Sequence, residues 1–311
     1  MRWLLLALAA CATDPVVDDP MRELHEEALP YYEQGVAGTF TGAEGVTIAY
    51  QAFPRGARDA LVFAPGRTEG SHTFMQLLYE LRDQPLDIYV IDHRGQGASA
   101  RLTDDPLKGH VDRFDHYVLD YAQLVDDIVQ PDRYDHVFAL GHSMGGAITL
   151  GYAQQHPETF DAIALSAPML QIAAPVSEGL LLDYASHVDP EATIPAADVT
   201  GVLTNDPQQL ALLYETDNLF PDRRVGAATY GWVAESIRAT RRIRSTPIST
   251  PTLLFQAGDD AVVVPAAQTA FCEASTGCEL VVYPHAQHEL LFAEAPVRDD
   301  LLARMLAATS R

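Results

Sequence analysis

Ser143 stands in the string Gly141-His142-Ser143-Met144-Gly145-Gly146, directly after the apolar run His136–Leu140 and ahead of a stretch rich in Ala and Gly. A Gly-x-Ser-x-Gly between a strand and a helix makes a turn so tight that the positions two before and two after the serine must be nearly free of side chain. The hydroxyl is thereby lifted above the sheet, where it can act as a nucleophile. It is scarcely ionised at neutral pH, so it needs a base, and the base needs a carboxylate to fix its tautomer and stabilise the imidazolium. Asp260, in Gly258-Asp259-Asp260-Ala261-Val262-Val263, is the expected acid, with Asp259 its rival. His288, in His285-Ala286-Gln287-His288-Glu289, is the expected base, and His285 reads as a loop residue. Charge developing on a carbonyl oxygen calls for backbone N–H donors. Met144, next after the nucleophile, supplies one; Arg67, in Pro65-Gly66-Arg67-Thr68-Glu69-Gly70, supplies the other.

These residues must be brought together by the elements around them. From about Thr39 the chain alternates strand-like runs (Thr47–Phe53, Ala60–Ala64, Asp87–Ile91, His136–Leu140, Phe160–Leu165) with helical stretches at Phe74–Leu81, Tyr117–Val129 and about Met144–Gln155. That alternation after an initial hairpin predicts an α/β fold, a mostly parallel sheet with helices on both faces. Acid and base both follow strand ends, where open α/β sheets assemble their sites. Between Ala167 and Pro251 the alternation fails for over eighty residues, with helical patterns at Gln208–Glu215 and Thr229–Arg241. One crossover needs about a dozen residues, so the surplus predicts an inserted helical cap. Strand character returns at Thr252–Phe255 and Glu279–Tyr283, and Val297–Leu306 closes the chain as an amphipathic helix. The expected organisation is a core of residues 31–168 and 252–311 with a cap at 169–251.

A length of 311 residues and 48% hydrophobic composition allow a sizeable core. A net charge of −23 repels a phosphate backbone and argues against nucleic acid as a partner. Residues 1–11 give one positive charge, a short apolar run and Leu8-Ala9-Ala10-Cys11. Roughly ten apolar residues cannot span a bilayer. They fit a secretory signal whose end resembles a bacterial lipobox, with Cys11 lipidated, and they place the protein at the cell envelope on a membrane surface. A cytoplasmic or peripheral inner-membrane location is the alternative. Acidic residues and prolines at 12–30 read as a tether. Cys272 and Cys278 leave a disulfide and two free thiols both open. Isolated His285 and His288 lack partners at metal-ligand spacing, and Gly95-Gln96-Gly97 lacks the third glycine of a dinucleotide fingerprint, so no metal or cofactor is expected.

Further strings carry a resemblance. Asp92-His93-Arg94-Gly95-Gln96-Gly97, Gly109-His110-Val111-Asp112-Arg113-Phe114, Gly141–Gly146, Ser166-Ala167-Pro168-Met169, Thr229–Ser236 and His288-Glu289-Leu290-Leu291-Phe292 resemble the bacterial lysophospholipase branch of monoacylglycerol-lipase-like α/β-hydrolases. The resemblance covers roughly residues 30–308. It implies Ser143, Asp260 and His288 as a triad that hydrolyses an acyl ester of a single-chain lipid. Leu180, Leu181, Leu182, Leu203, Leu210, Leu212, Leu213 and Phe220 are candidates to line an acyl tunnel. Arg241 and Arg242, in a cluster with Arg238 and Arg244, are candidates to bind a phosphate head group. Other serine hydrolases of this fold, peptidases included, and a non-catalytic lipid-binding lipoprotein are the competing readings.

Overall fold

The computed structural model describes residues 19–195 and 201–309. The chain enters through α1 (Pro20–Glu23), a wide helical stretch Leu24–Ala28 and α2 (Leu29–Gln34). It continues through β1 (Val36–Thr41), β2 (Thr47–Phe53), β3 (Asp59–Ala64), α3 (Met75–Glu80), β4 (Leu86–Asp92), α4 (Asp115–Gln123), β5 (His136–His142), α5 (Ser143–Ala153) and β6 (Ala162–Ser166). Then come α6 (Glu178–Ala185), α7 (Pro207–Leu219), α8 (Tyr230–Arg244), β7 (Thr252–Ala257), α9 (Pro265–Ala274), β8 (Cys278–Tyr283) and α10 (Ala295–Ala308). The strands form one sheet in the order β1-β2-β4-β3-β5-β6-β7-β8. The β1–β2 and β2–β4 pairs are antiparallel and all later pairs are parallel.

Alternate residues of the central strands feed two cores, because successive side chains leave a strand on opposite faces. Ala60, Val62, Tyr89, Ile91, Val137 and Ala139 pack with α4, α5, α8 and α9 through Tyr117, Ile148, Ile237 and Phe271. Leu61, Phe63, Ile88, Val90, Phe138 and Leu140 pack with α2, α3 and α10 through Tyr32, Leu77 and Leu301. Burial on both faces explains why these strands read as continuous apolar runs rather than as alternating ones.

Two expectations need correcting here. The lipobox and residues 12–18 lie outside the described residues, but the rest of the expected tether is helix. Leu24, Ala28 and Tyr32, four residues apart, are almost fully buried in the second core, and Asp19 caps the helix by accepting from the Met21 and Arg22 N–H groups. The i, i+4, i+8 stripe was masked by the acids between its members. Residues 19–30 thus belong to the packed domain rather than to a tether. Helices α6 and α9 had no counterpart in the sequence reading; α6 has no buried residue, so no apolar stripe marks it. Among the described residues no helix is long and apolar enough to cross a membrane.

Candidate active site

The elbow forms where β5 runs straight into α5. Ser143 takes a left-handed conformation at φ 49°, a strained choice for a residue other than glycine. A side chain at Gly145 is excluded, since a Cβ there would stand 1.9 Å from the Ala64 carbonyl oxygen at the end of β3. The tight approach of α5 to β3 is what aims the Ser143 hydroxyl out of the sheet.

Asp260 follows β7 and His288 follows β8, both at the same C-terminal edge of the sheet. His288 Nδ1 lies 2.8 Å from Asp260 Oδ2, and His288 Nε2 lies 2.9 Å from Ser143 Oγ. A carboxylate can only accept, so Nδ1 carries the proton and Nε2 is left to accept from the hydroxyl. The other Asp260 oxygen accepts from the backbone N–H groups of Val262 and Val263 at 2.8 and 2.9 Å. Asp260 and His288 are buried, whereas Asp259 is exposed and stands 3.8 Å from a His285 that is 94% exposed. The structure brings together Asp260 and His288, and leaves the rival pair in solvent.

Gly66 and Arg67 follow β3 and share a pocket wall with Ser143 and His288. A Cβ on Gly66 would be 3.2 Å from Ser143 Cβ, which measures how closely this loop approaches the nucleophile. No hydrogen bond from the Arg67 N–H is formed among the described residues. The Met144 N–H lies in the first turn of α5, where no carbonyl one turn back exists to accept it. Both donors are therefore free to serve an oxyanion. The Arg67 side chain leaves the site, donating to the Gly226 carbonyl at 3.0 Å and lying over the Trp232 ring of α8.

The pocket measures about 220 Å³ and is lined on its cap side by Leu203, Leu213, Tyr214 and Asp217. Of the leucines expected to form a tunnel only Leu203 and Leu213 reach it. Leu212 is buried in the second core, Leu181 and Leu182 pack on the first, and Leu180 is exposed. Arg241 and Arg242, expected to bind a phosphate head group, do not line the pocket, which is a further correction. Arg241 pairs with Glu178 of α6 at 2.8 Å, Arg244 with the same carboxylate at 2.9 Å, and Arg242 with Asp115 of α4. A neighbouring acid satisfies each guanidinium, so the cluster fastens α8 to its neighbours instead of facing substrate.

Three residues of the site were not singled out in the sequence. Gln96, in the Asp92–Gly97 string, donates to the Gly66 and Glu69 carbonyls at 2.6 and 2.8 Å and so holds the oxyanion loop. Glu69 and Glu289 are buried beside it. Burial, then the neighbouring Glu289 carboxylate, pushes the Glu69 carboxyl up to about 8. Burial works against the His142 imidazolium, but Glu289 and Glu69 outweigh it and raise it to about 9. Glu289 itself is buried, yet the His142 charge brings it below the usual carboxylate range. A glutamate directly after the base was visible in the sequence but carried no spacing signal. Although His142, His288 and Glu289 bring ligand-type atoms within 4.8 Å of one another, each histidine nitrogen already faces a protein partner, which leaves no free ligand set.

Residues 55–295 match the family described as serine aminopeptidase, S33. The chain is 36% identical over 293 residues to lysophospholipase L2 of Escherichia coli, covering 86% of this chain and 85% of that one. It is 25% identical over 264 residues to the monoacylglycerol lipase of Mycolicibacterium smegmatis, covering 81% and 89%. In structure it is similar to a soluble variant of monoglyceride lipase from Saccharomyces cerevisiae solved with a substrate analog, with a TM-score of 0.73 at 19% identity over 88% of this chain and 94% of that one.

Proposed function

The chain belongs to the serine aminopeptidase S33 family of α/β-hydrolases, on its lysophospholipase and monoacylglycerol-lipase-like branch, and from that premise we propose that it hydrolyses the acyl ester of single-chain lipids through an acyl-enzyme on Ser143. The observation that carries the reading is the in-line Ser143, His288 and Asp260 array on the floor of a pocket with apolar cap residues. His288 Nε2 takes the hydroxyl proton as Ser143 Oγ attacks the carbonyl, and Asp260 stabilises the imidazolium. The Arg67 and Met144 N–H groups hold the oxyanion. Collapse expels the alcohol, which receives the proton from His288. Water then repeats the sequence on the acyl-enzyme and releases the fatty acid.

At about 220 Å³ the pocket is below the several hundred cubic ångströms of a drug-sized site, so it suits the ester and part of one acyl chain. A second chain would need a second groove. The substrate panel that tests this is lysophospholipid, monoacylglycerol, diacyl lipid, short ester and peptide, with fluorophosphonate labelling of Ser143. Equal rates on monoacyl and diacyl lipids defeat the single-chain reading, and preference for peptide shifts the activity to the peptidase the family's description carries.

The cell-envelope location rests on two supports. Leu8-Ala9-Ala10-Cys11 resembles a lipobox, and Cys272 and Cys278 are joined as a disulfide between the end of α9 and the start of β8. Disulfides persist in oxidising compartments and are rare in the cytosol. Cys11 carries the lipid and anchors the enzyme to a membrane surface. Fractionation of wild type and Cys11→Ser tests it: an unprocessed wild type in the cytosolic fraction overturns the anchor.

A further inference from the structure

Glu69, His142 and Glu289 are buried, titratable and unused by the chemistry above. Each is chain-adjacent to a working part. Glu69 lies two residues after Arg67 and accepts the Gly66 N–H, His142 immediately precedes Ser143, and Glu289 immediately follows His288. The three side chains meet although their loops leave three different strands. His142 Nε2 is 3.0 Å from Glu289 Oε2 and 3.8 Å from Glu69 Oε1, so both buried carboxyls face the same imidazole nitrogen.

Donor and acceptor types set the proton inventory. His142 Nδ1 is 3.1 Å from the Ser166 carbonyl oxygen, which can only accept, and Nε2 faces a carboxylate. Two buried carboxyls beside the ring favour its imidazolium form. One cation can neutralise one carboxylate, and two buried carboxyls facing each other hold a proton between them. Glu69 is the one that keeps it, since burial and the Glu289 charge raise its carboxyl while the His142 charge holds Glu289 down; its other oxygen accepts the Gly66 N–H.

We propose that Glu69, His142 and Glu289 are positioning residues that share one carboxyl proton and lock the oxyanion loop, the nucleophile elbow and the base loop into one register. The unit rests on the ester hydrolysis proposed above and touches no substrate atom. Loss of the shared proton leaves two buried carboxylates against one imidazolium. Their repulsion moves Glu69 from Gly66 and the Arg67 N–H from the oxyanion. The charged groups facing Glu69 are Glu289 and His142, with His288 and Asp260 next beyond them, Arg67 along its own loop, and Asp217 of α7 across the pocket, itself 3.9 Å from His72.

The test is kcat and KM against pH on a soluble short-chain p-nitrophenyl ester, for wild type, Glu69→Gln and Glu69→Ala, with fluorophosphonate labelling to count competent sites. A glutamine reproduces the protonated acid, accepting from Gly66 and donating to Glu289, but cannot ionise. Wild-type kcat is expected to decline above about pH 8, and Glu69→Gln to lose that decline while keeping kcat at pH 7 within about threefold. Glu69→Ala should lose about tenfold or more in kcat at pH 7 with little change in KM, as expected for a transition-state donor out of place. A wild type without the decline, a Glu69→Gln profile that keeps it, or equal losses in the two variants overturns the proposal. If Glu69→Ala does not fold, the Glu69→Gln profile decides alone. A wild type that neither labels nor turns over marks instead the failure of the hydrolase reading.

Discussion

The C-terminal edge of the sheet and helix α8, inserted between β6 and β7, use charge in opposite ways. At the edge the charges are buried and each has a fixed partner: Asp260 with His288, His142 with Glu289, and Arg94 with Asp120 through two contacts of 2.7 and 2.8 Å. On α8 the ion pairs are partly exposed, as Arg241 and Arg242 are at 43% and 60%. Buried pairs cannot be exchanged for water when broken, so they fix loop positions; exposed pairs can, so they fasten helices loosely. The edge is built for registration, the outer face of α8 for attachment.

The strongest test of that contrast is catalytic. Ser143→Ala should lose about 10⁶-fold in kcat, and Asp260→Asn about 10⁴-fold, by the precedent of serine triads. Asp259→Asn should leave steady-state kinetics close to wild type, because its side chain is in solvent. A loss at Asp259 equal to that at Asp260 would break the contrast at once.

Stability comes next. Arg94→Leu strands Asp120 in the core and is expected to cost about 3–5 kcal/mol in urea unfolding. The midpoint of thermal unfolding should also fall as pH rises. Glu69, raised from 4.5 to about 8, contributes stability that is complete below pH 4.5 and lost as pH passes 8. His142, raised from 6.5 to about 9, contributes stability complete below pH 6.5 and lost as pH passes 9. Calorimetry at pH 6.5 and 9 should therefore show the higher midpoint at 6.5, and Glu69→Gln should reduce the difference. A midpoint that rises over this interval would contradict both shifts.

The smallest effect belongs to the cap. Arg241→Ala with Arg242→Ala should change stability by about 0–1 kcal/mol per pair and leave the ratio of lysophospholipid to monoacylglycerol turnover unchanged. A lost preference for lysophospholipid would return these arginines to the cleft and sharpen the cap's role to head-group selection.

Legibility in the sequence follows the same line. The strands around the site could be read because burial on both faces leaves uninterrupted apolar runs such as Leu61-Val62-Phe63. The elbow was legible because close packing there tolerates only glycine at Gly145. Both aspartates lie beyond a strand end, Asp260 could be preferred for the Ala-Val-Val that follows it, and the structure puts it within reach of His288. Helix α6 was illegible because nothing on it is buried, and α1 and α2 because Leu24, Ala28 and Tyr32 are diluted by surface acids. Glu69 and Glu289 could not be paired in advance: 220 residues separate them in the chain, and only the completed sheet brings β3 and β8 loops to one pocket.

The docked N-terminal helix would set the geometry of the proposed anchor. Tyr32 donates or accepts at Ser71 Oγ and receives Arg223 Nη1, and His25 lies 3.0 Å from Glu215 of α7, so the first helix is stitched to both core and cap. If Cys11 is acylated as proposed, the seven residues between it and Asp19 could span at most about 25 Å at ~3.5 Å per residue. An anchor that close would confine the enzyme to patrolling one leaflet in two dimensions. Its turnover should then track the surface density of substrate in that leaflet rather than bulk lipid concentration.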